Sequence, residues 1–186
     1  MTTNFYMACL DVQGRRCVVV GGGAVGYEKA AGLAASGARV TVVSPELHEQ
    51  FAGLEVEWVA RRYATGDLDG AFLVIAATKD QEVNRRVSRD AEQLGKLVNV
   101  ADVPELCNFI LPAVHREGPI AVAVSTGGAS PALAKRLRSQ IAQLVTPRHA
   151  ELAEELRAMR PEVKERFSTY DERRAYFEEV VRERLS

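Results

Sequence analysis

Three glycines at a fixed spacing are the first residues of this sequence that could do chemistry. Gly21, Gly23 and Gly26 form the pattern GxGxxG, directly after the apolar run at residues 15–20. An alanine-rich stretch of helical character follows and reaches Gly37. In this setting the glycines permit a tight turn, close approach of a pyrophosphate to the backbone, and close packing of the helix. The pattern predicts a dinucleotide site at a helix N-terminus, where unpaired amides attract anions.

The residues around this turn favour NAD over NADP. The predicted cofactor-binding residues are Gly21, Gly22, Gly23, Ala24, Val25, Gly26, Ser44, Pro45, Glu46 and Thr78. The acidic ribose ligand expected about twenty residues after the glycines is missing, so the ribose would meet Ser44, Glu46 or backbone. No arginine immediately follows that strand to bind a 2′-phosphate. Thr78 has an equally good alternative role as the cap of a helix that begins near Lys79.

Asp102 is the candidate catalytic residue. It ends a predicted strand at residues 97–102, at the same edge of the predicted sheet as the glycine turn. A carboxylate in that place could act as general acid or base beside a nicotinamide. A simple turn aspartate before Pro104 is the alternative, and position alone favours it.

A second loop of small residues, STGGASP at 125–131, also leads into a predicted helix. Such a loop offers backbone amides to an anion, and basic residues on the helix extend the positive field. The predicted substrate-binding residues are Ser125, Thr126, Gly127, Gly128, Ser130, Lys135 and Arg136. A solvated basic face is the alternative interpretation of Lys135 and Arg136.

Composition argues against several other classes of protein. The chain has 186 residues and three cysteines, none in a CxxC spacing, and its three histidines show no metal-ligand pairing, so we predict no bound metal. A net charge of -1 disfavours nucleic acid as a partner. No apolar run approaches the roughly twenty residues of a membrane span. We therefore predict a cytoplasmic protein with no membrane partner.

The elements that must position these residues alternate between strands and helices. Short apolar runs at 39–44, 56–60, 71–78 and 97–102 predict strands, and 79–94 predicts an amphipathic helix. This alternation predicts an α/β fold with a Rossmann-type parallel sheet and strand order 3-2-1-4-5. Ligands of such sheets bind at the carboxyl ends of the strands.

The pattern changes after Asp102. Two β-rich segments flank a turn at Glu117-Gly118-Pro119, and residues 130–145 then predict a helix with Ser130 as N-cap. The remaining residues form helices in our prediction, with an interruption at Pro161.

Four separated segments are more specific than the glycine pattern. They are CVVVGGGAVGYEKAAGLAASGARVTVVSP, LVIAATKDQEVN, NVADVPELCNFILPA and VAVSTGGASPALAKRLR. In this order, over about residues 8–145, they closely resemble the precorrin-2 dehydrogenase family, which includes the N-terminal module of sirohaem synthase. The change of pattern after Asp102 and this resemblance together predict three parts: a NAD-binding Rossmann domain at 1–112, a small β/α dimerisation segment at 113–145 and a helical C-terminal domain at 146–186.

The same resemblance implies a reaction. The family oxidises precorrin-2, an acidic tetrapyrrole, to sirohydrochlorin with NAD in sirohaem biosynthesis, and it acts as a homodimer whose 113–145 segment makes most of the contact. It also implies a functional role for Asp102, in dehydrogenation and, in bifunctional members, in iron insertion. Thr126 stands where the family often has a second consecutive serine, which weakens any inference about serine modification in this loop. We also expect the uroporphyrinogen methyltransferase step to be performed elsewhere, since no such domain follows residue 186.

Two alternatives stay open at the level of sequence. A bifunctional enzyme would also insert ferrous iron into sirohydrochlorin, and an assay with both substrates and no NAD would detect it. A noncatalytic NAD-sensing module would bind the cofactor without binding a tetrapyrrole, because fold alone does not imply chemistry.

Overall fold

The computed structural model describes residues 5–186, which form two compact units. The first unit ends at Leu111 and the second comprises Pro112–Ser186. The first contains a five-stranded parallel sheet, and the second contains a two-stranded antiparallel hairpin with helices. The division comes where the alternation of strands and helices ends in the sequence.

The first unit has the predicted Rossmann-type architecture. Its strands are β1 (Arg16–Val20), β2 (Arg39–Val43), β3 (Glu57–Val59), β4 (Leu73–Ala76) and β5 (Leu97–Val100), and its helices are α1 (Ala24–Ala34) and α2 (Gln81–Gln93). Short 3₁₀ helices lie at Glu49–Phe51, Thr65–Leu68 and Pro104–Leu106. The sheet order is β3-β2-β1-β4-β5 and all pairs are parallel, so the predicted strand order is confirmed.

The middle of the sheet is valine-rich because both of its faces are covered. On one face Val18 and Val20 of β1 belong to a buried cluster with Val87 of α2. On the other face Val19 belongs to a second cluster with Ala30 of α1. Burial of each such side chain contributes about 1.5–3 kcal/mol to the stability of the fold. A shift of one residue in the pairing of a strand would move its side chains to the opposite face of the sheet. The register is thereby fixed, and so are the positions of the strand ends that carry the candidate site.

Helix α2 begins two residues later than predicted. Asp80 is its N-cap, and one carboxylate oxygen accepts from the amides of Glu82 at 3.0 Å and Val83 at 3.3 Å. Such a bond satisfies amides that have no carbonyl partner in the first turn. The loop between β4 and α2 therefore includes Thr78 and Lys79.

The second unit begins with the predicted hairpin. It consists of β6 (Ala113–Glu117), β7 (Ile120–Val124), α3 (Pro131–Leu144), α4 (Pro147–Arg166) and α5 (Tyr170–Leu185). Glu117 pairs with Ile120 across the two-residue turn Gly118-Pro119, and Gly118 has φ +53°. Glycine at the first turn position and proline at the second match the conformations that a type II′ hairpin turn needs.

Pro161 does not interrupt the tail, and that prediction was wrong. Helix α4 runs through it, with Leu152 and Val163 buried on either side. Burial of these side chains offsets the backbone hydrogen bond that proline removes, which costs about 3 kcal/mol. Helix α4 ends later, at Arg166, and Thr169 then caps α5. Among residues 5–186, none of the helices is both long and apolar enough to cross a bilayer.

Candidate active site

Close backbone contacts shape the glycine turn between β1 and α1. Gly21 has φ +119°, and a Cβ there would lie 2.5 Å from the carbonyl oxygen of Ala77. A Cβ on Gly26 would lie 2.0 Å from the carbonyl oxygen of Gly21. Both distances are far shorter than van der Waals contact, so these two glycines are needed for the turn itself and for packing α1 against it.

Gly23 is a glycine for a different reason. It is the N-cap of α1 in an extended conformation, with φ -78° and ψ -175°, and a Cβ there would meet no atom within 4 Å. Neither the backbone nor the packing of the described residues requires glycine at this position. The neighbouring amides of Ala24 and Val25 belong to the first helical turn, which lacks internal acceptors and carries partial positive charge. The open space beside Gly23 suits an anionic group held close to the backbone.

The segment after β2 lies against this turn. The amide of His48 donates to the carbonyl oxygen of Gly22 at 2.7 Å, and a Cβ on Gly22 would lie 2.2 Å from the carbonyl oxygen of Glu46. Ser44 is buried, whereas Pro45 and Glu46 are exposed. The structure thus brings the predicted residues at 44–46 beside the glycine turn, with the Glu46 carboxylate facing solvent.

Two arginines after β3 were missed by the sequence reasoning. The strand β3 neighbours β2, and the indole nitrogen of Trp58 donates to the carbonyl oxygen of Ser44 at 2.9 Å. Arg61 makes two hydrogen bonds to the carboxylate of Asp67, at 2.8 and 2.5 Å, and Arg62 is exposed. The predicted strand order already placed the end of β3 beside the end of β2. The Arg-Arg pair that follows β3 could therefore have been identified from the sequence as lying near the ribose site.

Thr78 is bonded inside the loop between β4 and α2. Its hydroxyl lies 2.8 Å from Oδ1 of Asn84 and 2.9 Å from the carbonyl oxygen of Asp80, the two acceptors for its one proton. The amide group of Asn84, which is almost fully buried, donates to the carbonyl oxygen of Thr78 at 3.0 Å. Because Asp80 is the N-cap of α2, the alternative role of Thr78 as that cap was wrong. A contact between Thr78 and the cofactor stays a prediction.

Asp102 lies in a turn two residues beyond the end of β5 rather than in the strand. Its φ is +60°, and it is the one non-glycine residue with positive φ in the described range. A strand cannot continue through that conformation, so β5 ends at Val100. The side chain of Asp102 is exposed at the carboxyl edge of the sheet, the edge that also carries the glycine turn. Aspartate tolerates this backbone better than most residues, and such outliers concentrate at functional sites.

The hydroxyl groups of the second loop are bonded within the loop. Thr126 Oγ1 accepts from the amide of Ser130 at 3.0 Å, and Ser125 Oγ accepts from the amide of Gly127 at 3.2 Å. Ser130 is the N-cap of α3, as predicted, and its hydroxyl accepts from the amide of Leu133 at 3.2 Å. With the amide of Ala129, which donates to the carbonyl oxygen of Thr126 at 3.0 Å, four amides on which the anion-binding prediction relied therefore already have acceptors.

Lys135 and Arg136 are the accessible cationic groups beside this loop. Both are exposed on α3, and neither forms an ion pair with another residue of the described chain. Gly127 and Gly128 both have positive φ, and a Cβ on Gly128 would meet no atom within 4 Å. Anion recognition here would therefore depend more on these two side chains than on the loop amides.

The histidines have structural contacts. His115 has a ring nitrogen 3.4 Å from the carbonyl oxygen of Val145, and the ring of His149 lies 2.9 Å from the hydroxyl of Thr146. His48 caps the 3₁₀ helix at residues 49–51. Across residues 5–186, no three side chains of His, Cys, Asp or Glu come together in a way that could hold a metal ion.

A basic groove of about 400 Å³ lies at the opposite edge of the parallel sheet. Its lining includes Arg15, Arg16, Arg39 and Lys96, at the amino ends of the strands. The guanidinium of Arg15 stacks 4.1 Å from the centre of the Phe72 ring. Because ligands of doubly wound sheets bind at the carboxyl ends of the strands, this groove is separate from the candidate site.

Three family models match the chain in succession. A putative NAD(P)-binding family matches residues 8–113. The central region of a sirohaem biosynthesis protein matches residues 117–144, and the dimerisation region of sirohaem synthase matches residues 148–186. The region named for dimerisation thus follows the 113–145 segment, to which the resemblance assigns most of the subunit contact.

Individual relatives agree with the family models. The siroheme synthase of Methylobacillus flagellatus is 46% identical over 175 residues, which cover 92% of this chain and 38% of that protein. The siroheme synthase of Chromobacterium violaceum is 42% identical over 182 residues, covering 96% and 39%. The chain therefore spans less than two fifths of the length of these curated relatives.

A solved structure named SirC, precorrin-2 dehydrogenase, has the same fold. It superposes with a TM-score of 0.81 at 28% identity, and the match covers 98% of this chain and 93% of that one. The glycine turn, the succession of three family models and this superposition agree with one another. The chain therefore belongs to the putative NAD(P)-binding family, in the group formed by precorrin-2 dehydrogenases and the N-terminal module of sirohaem synthases.

Proposed function

We propose that this chain oxidises precorrin-2 to sirohydrochlorin with NAD as hydride acceptor. The name of the SirC structure and the siroheme synthase relatives support the reaction. The open space at Gly23, beside the first turn of α1, is the observation on which cofactor binding depends. A glycine that neither packing nor backbone conformation requires is explained by a ligand that approaches the backbone.

The residues around the turn suit a dinucleotide. Gly21 and Gly26 bring β1 and α1 close together, and the first amides of α1 would bind the pyrophosphate. Glu46 is exposed beside the turn, where its carboxylate would accept hydrogen bonds from ribose hydroxyls and repel a 2′-phosphate. Arg61 and Arg62 are the arginines that follow β3; the guanidinium of Arg61 is bonded to Asp67, and Arg62 is exposed. The Glu46 carboxylate beside the turn favours NAD over NADP.

The reaction removes a hydride and a proton from the macrocycle. NAD, when bound, supplies the hydride acceptor. The carboxylate of Asp102 accepts the proton at one of its oxygens, or holds the group that does, because it is exposed at the sheet edge that carries the glycine turn. The positive φ of Asp102 fixes the direction in which that side chain leaves the backbone.

The substrate is a polyanion, and the second loop is the proposed contact for its carboxylates. Lys135 and Arg136 are exposed next to a loop whose hydroxyl groups are hydrogen-bonded to its own backbone. Charge-assisted hydrogen bonds from such side chains would bind and orient carboxylate groups.

The Asp102→Asn variant tests the proposed role of Asp102. Asparagine also tolerates positive φ, so the turn is kept and the charge and basicity are lost. We expect turnover of precorrin-2, measured as NADH formation, to fall by roughly 10²- to 10⁴-fold with unchanged affinity for NAD. Asp69→Asn, at an exposed aspartate elsewhere in this unit, is the matched control and should keep full turnover. Near-normal turnover of Asp102→Asn would remove the assignment.

The bifunctional alternative remains relevant because the curated relatives are named siroheme synthase. Asp102 would then also accept pyrrole protons as iron, a substrate, enters the macrocycle. Incubation with sirohydrochlorin and ferrous iron, without NAD, separates the two possibilities, since sirohaem absorbance would appear only if the chain inserts iron.

The chain acts as a homodimer in this proposal. The match of residues 148–186 to a dimerisation region supports it. Exposed leucines on α3 support it further, since Leu133 is 50% exposed and Leu144 is 71% exposed. Exposed apolar side chains that form a contiguous patch on one helix often mark a contact with another protein.

A further inference from the structure

The turn that carries Asp102 has an unusual anchor. The sulfur of Cys107 accepts a hydrogen bond from the amide of Val100 at 3.1 Å. The same sulfur lies 3.4 Å from the carbonyl oxygen of Val100 and 3.3 Å from that of Val103, the two acceptors for its one proton. The thiol thus contacts the backbone on both sides of Asp102. Burial raises the pKa of the Cys107 thiol, which keeps that proton in place at neutral pH.

In a wider sheet, a backbone carbonyl of the next strand would accept the hydrogen bond that the sulfur of Cys107 accepts here from Val100. β5 is an edge strand, and the segment at 107–109 covers its outer side. There the amide of Asn108 donates to the carbonyl oxygen of Val98 at 3.0 Å, and Oδ1 of Asn108 accepts from the amide of Val98 at 2.8 Å. Two residues further along β5, the sulfur of Cys107 takes over as acceptor for Val100.

A backbone hydrogen bond from the amide of Val103 to the carbonyl oxygen of Val100, at 3.3 Å, also closes this turn. The other side-chain contacts of the loop do not hold Asp102 directly. The hydroxyl of Ser88, from α2, donates to the carbonyl oxygen of Leu106 at 2.8 Å, and Nδ2 of Asn99 donates to the carbonyl oxygen of Phe109 at 3.1 Å. Both bonds fix the chain after the turn. Among the side chains of the described residues, the thiol of Cys107 is the one that bonds to the turn at Val100 and Val103.

We infer that Cys107 is a positioning residue that holds Asp102 in its positive-φ turn. The inference rests on the role proposed above for Asp102. Val100 is buried, so removing the sulfur leaves its amide without an acceptor, at a cost in free energy. The turn relieves that cost by opening, and the Asp102 carboxylate then moves away from the place where it accepts a proton.

Three variants test this positioning role by kinetics. Cys107→Ala should lower kcat on the order of tenfold with unchanged KM for NAD, because the glycine turn is untouched. Cys107→Ser should restore most of kcat, since a hydroxyl can accept from Val100 and donate to Val103. Cys17→Ala, which deletes a fully buried thiol in β1, should lower stability without changing kcat of the folded enzyme.

Coupling to Asp102 provides the decisive comparison. Cys107→Ala should have no further effect on kcat in the Asp102→Asn background, because both changes remove the same positioned carboxylate. If Cys107→Ala lowered kcat by the same factor in the wild-type and Asp102→Asn backgrounds, the inference would be overturned. A loss of kcat in Cys17→Ala equal to that in Cys107→Ala would also overturn it.

A readout without activity separates this inference from the proposed function. Hydrogen exchange at residues 100–106 should be faster in Cys107→Ala and close to wild type in Cys107→Ser. Unchanged exchange in Cys107→Ala would overturn the inference whatever the kinetics show. Full turnover of Asp102→Asn would instead overturn the proposed role of Asp102.

Discussion

At the residue scale, Gly23 and Gly26 belong to one motif but serve different purposes. A Cβ on Gly26 would overlap the carbonyl oxygen of Gly21, at 2.0 Å, whereas a Cβ on Gly23 would meet nothing within 4 Å. Gly26 is therefore constrained by the protein itself, and Gly23 by the ligand proposed to bind beside it.

This difference predicts opposite effects of two alanine substitutions. Gly23→Ala should lower the free energy of unfolding by no more than about 1 kcal/mol, because its one structural cost is that alanine is a poorer N-cap than glycine. It should weaken NAD binding by at least about tenfold, because the methyl group occupies the space of the pyrophosphate. Gly26→Ala should lower the free energy of unfolding by about 1–3 kcal/mol.

Chemical denaturation and NAD titration by calorimetry measure both quantities. Wild-type affinity for NAD in Gly23→Ala would contradict the proposed cofactor site, whatever its effect on stability.

At the scale of the element, the 3₁₀ helix at Thr65–Leu68 depends on one carboxylate. Asp67 accepts from the amide of Ala64 at 2.7 Å and from the guanidinium of Arg61, and the adjacent Leu68 is fully buried. The hydrogen bonds from Arg61 hold the pKa of Asp67 below its ordinary value. Because the pKa is lower in the folded state, this stabilisation is present above the unfolded pKa and is lost as the pH falls through the folded one.

Asp67→Asn should therefore lower the free energy of unfolding by about 1–2 kcal/mol at neutral pH, a range that allows for the half-exposed Arg61. The difference from wild type should shrink below about pH 4, where unfolded aspartate becomes protonated. Urea denaturation at a series of pH values measures it, with the exposed Asp69→Asn as control. A difference that stays constant down to pH 3 would refute the ion pair as the cause.

At the scale of the whole molecule, the two units bury their apolar residues to different extents. The first contains both valine-rich clusters of the sheet. In the second, Leu133 and Leu137 of α3 are 50% and 38% exposed and stand one helical turn apart on the same side. We expect a second copy of the chain to cover them.

Replacing both leucines by glutamate should convert the proposed dimer into a monomer, with a dissociation constant raised at least about tenfold, because burial of two carboxylates is costly. Light scattering during gel filtration measures the mass. Leu94→Glu, at a leucine of the first unit that is 44% exposed, is the matched control and should leave the mass unchanged. A monomeric wild type, or a dimer that persists in the double variant, would contradict the proposal.

The sequence by itself determined the order of strands, the glycine turn, the place of the hairpin turn and the cap of α3. These features depend on local patterns: β-branched runs mark buried strands, Gly118-Pro119 restricts the hairpin turn, and Ser130 with Pro131 begins a helix. Strand order followed because right-handed crossovers leave few arrangements of such a sheet.

Only the tertiary structure decided how the candidate residues are held. The positive φ of Asp102 is stabilised by Cys107 through backbone contacts of the folded loop, and the ion pair of Arg61 depends on where a 3₁₀ helix lies. Pro161 stays within α4 because buried side chains on both sides offset its local cost. In each case the contact or the compensating burial exists only after the chain has folded, so no local pattern could reveal it.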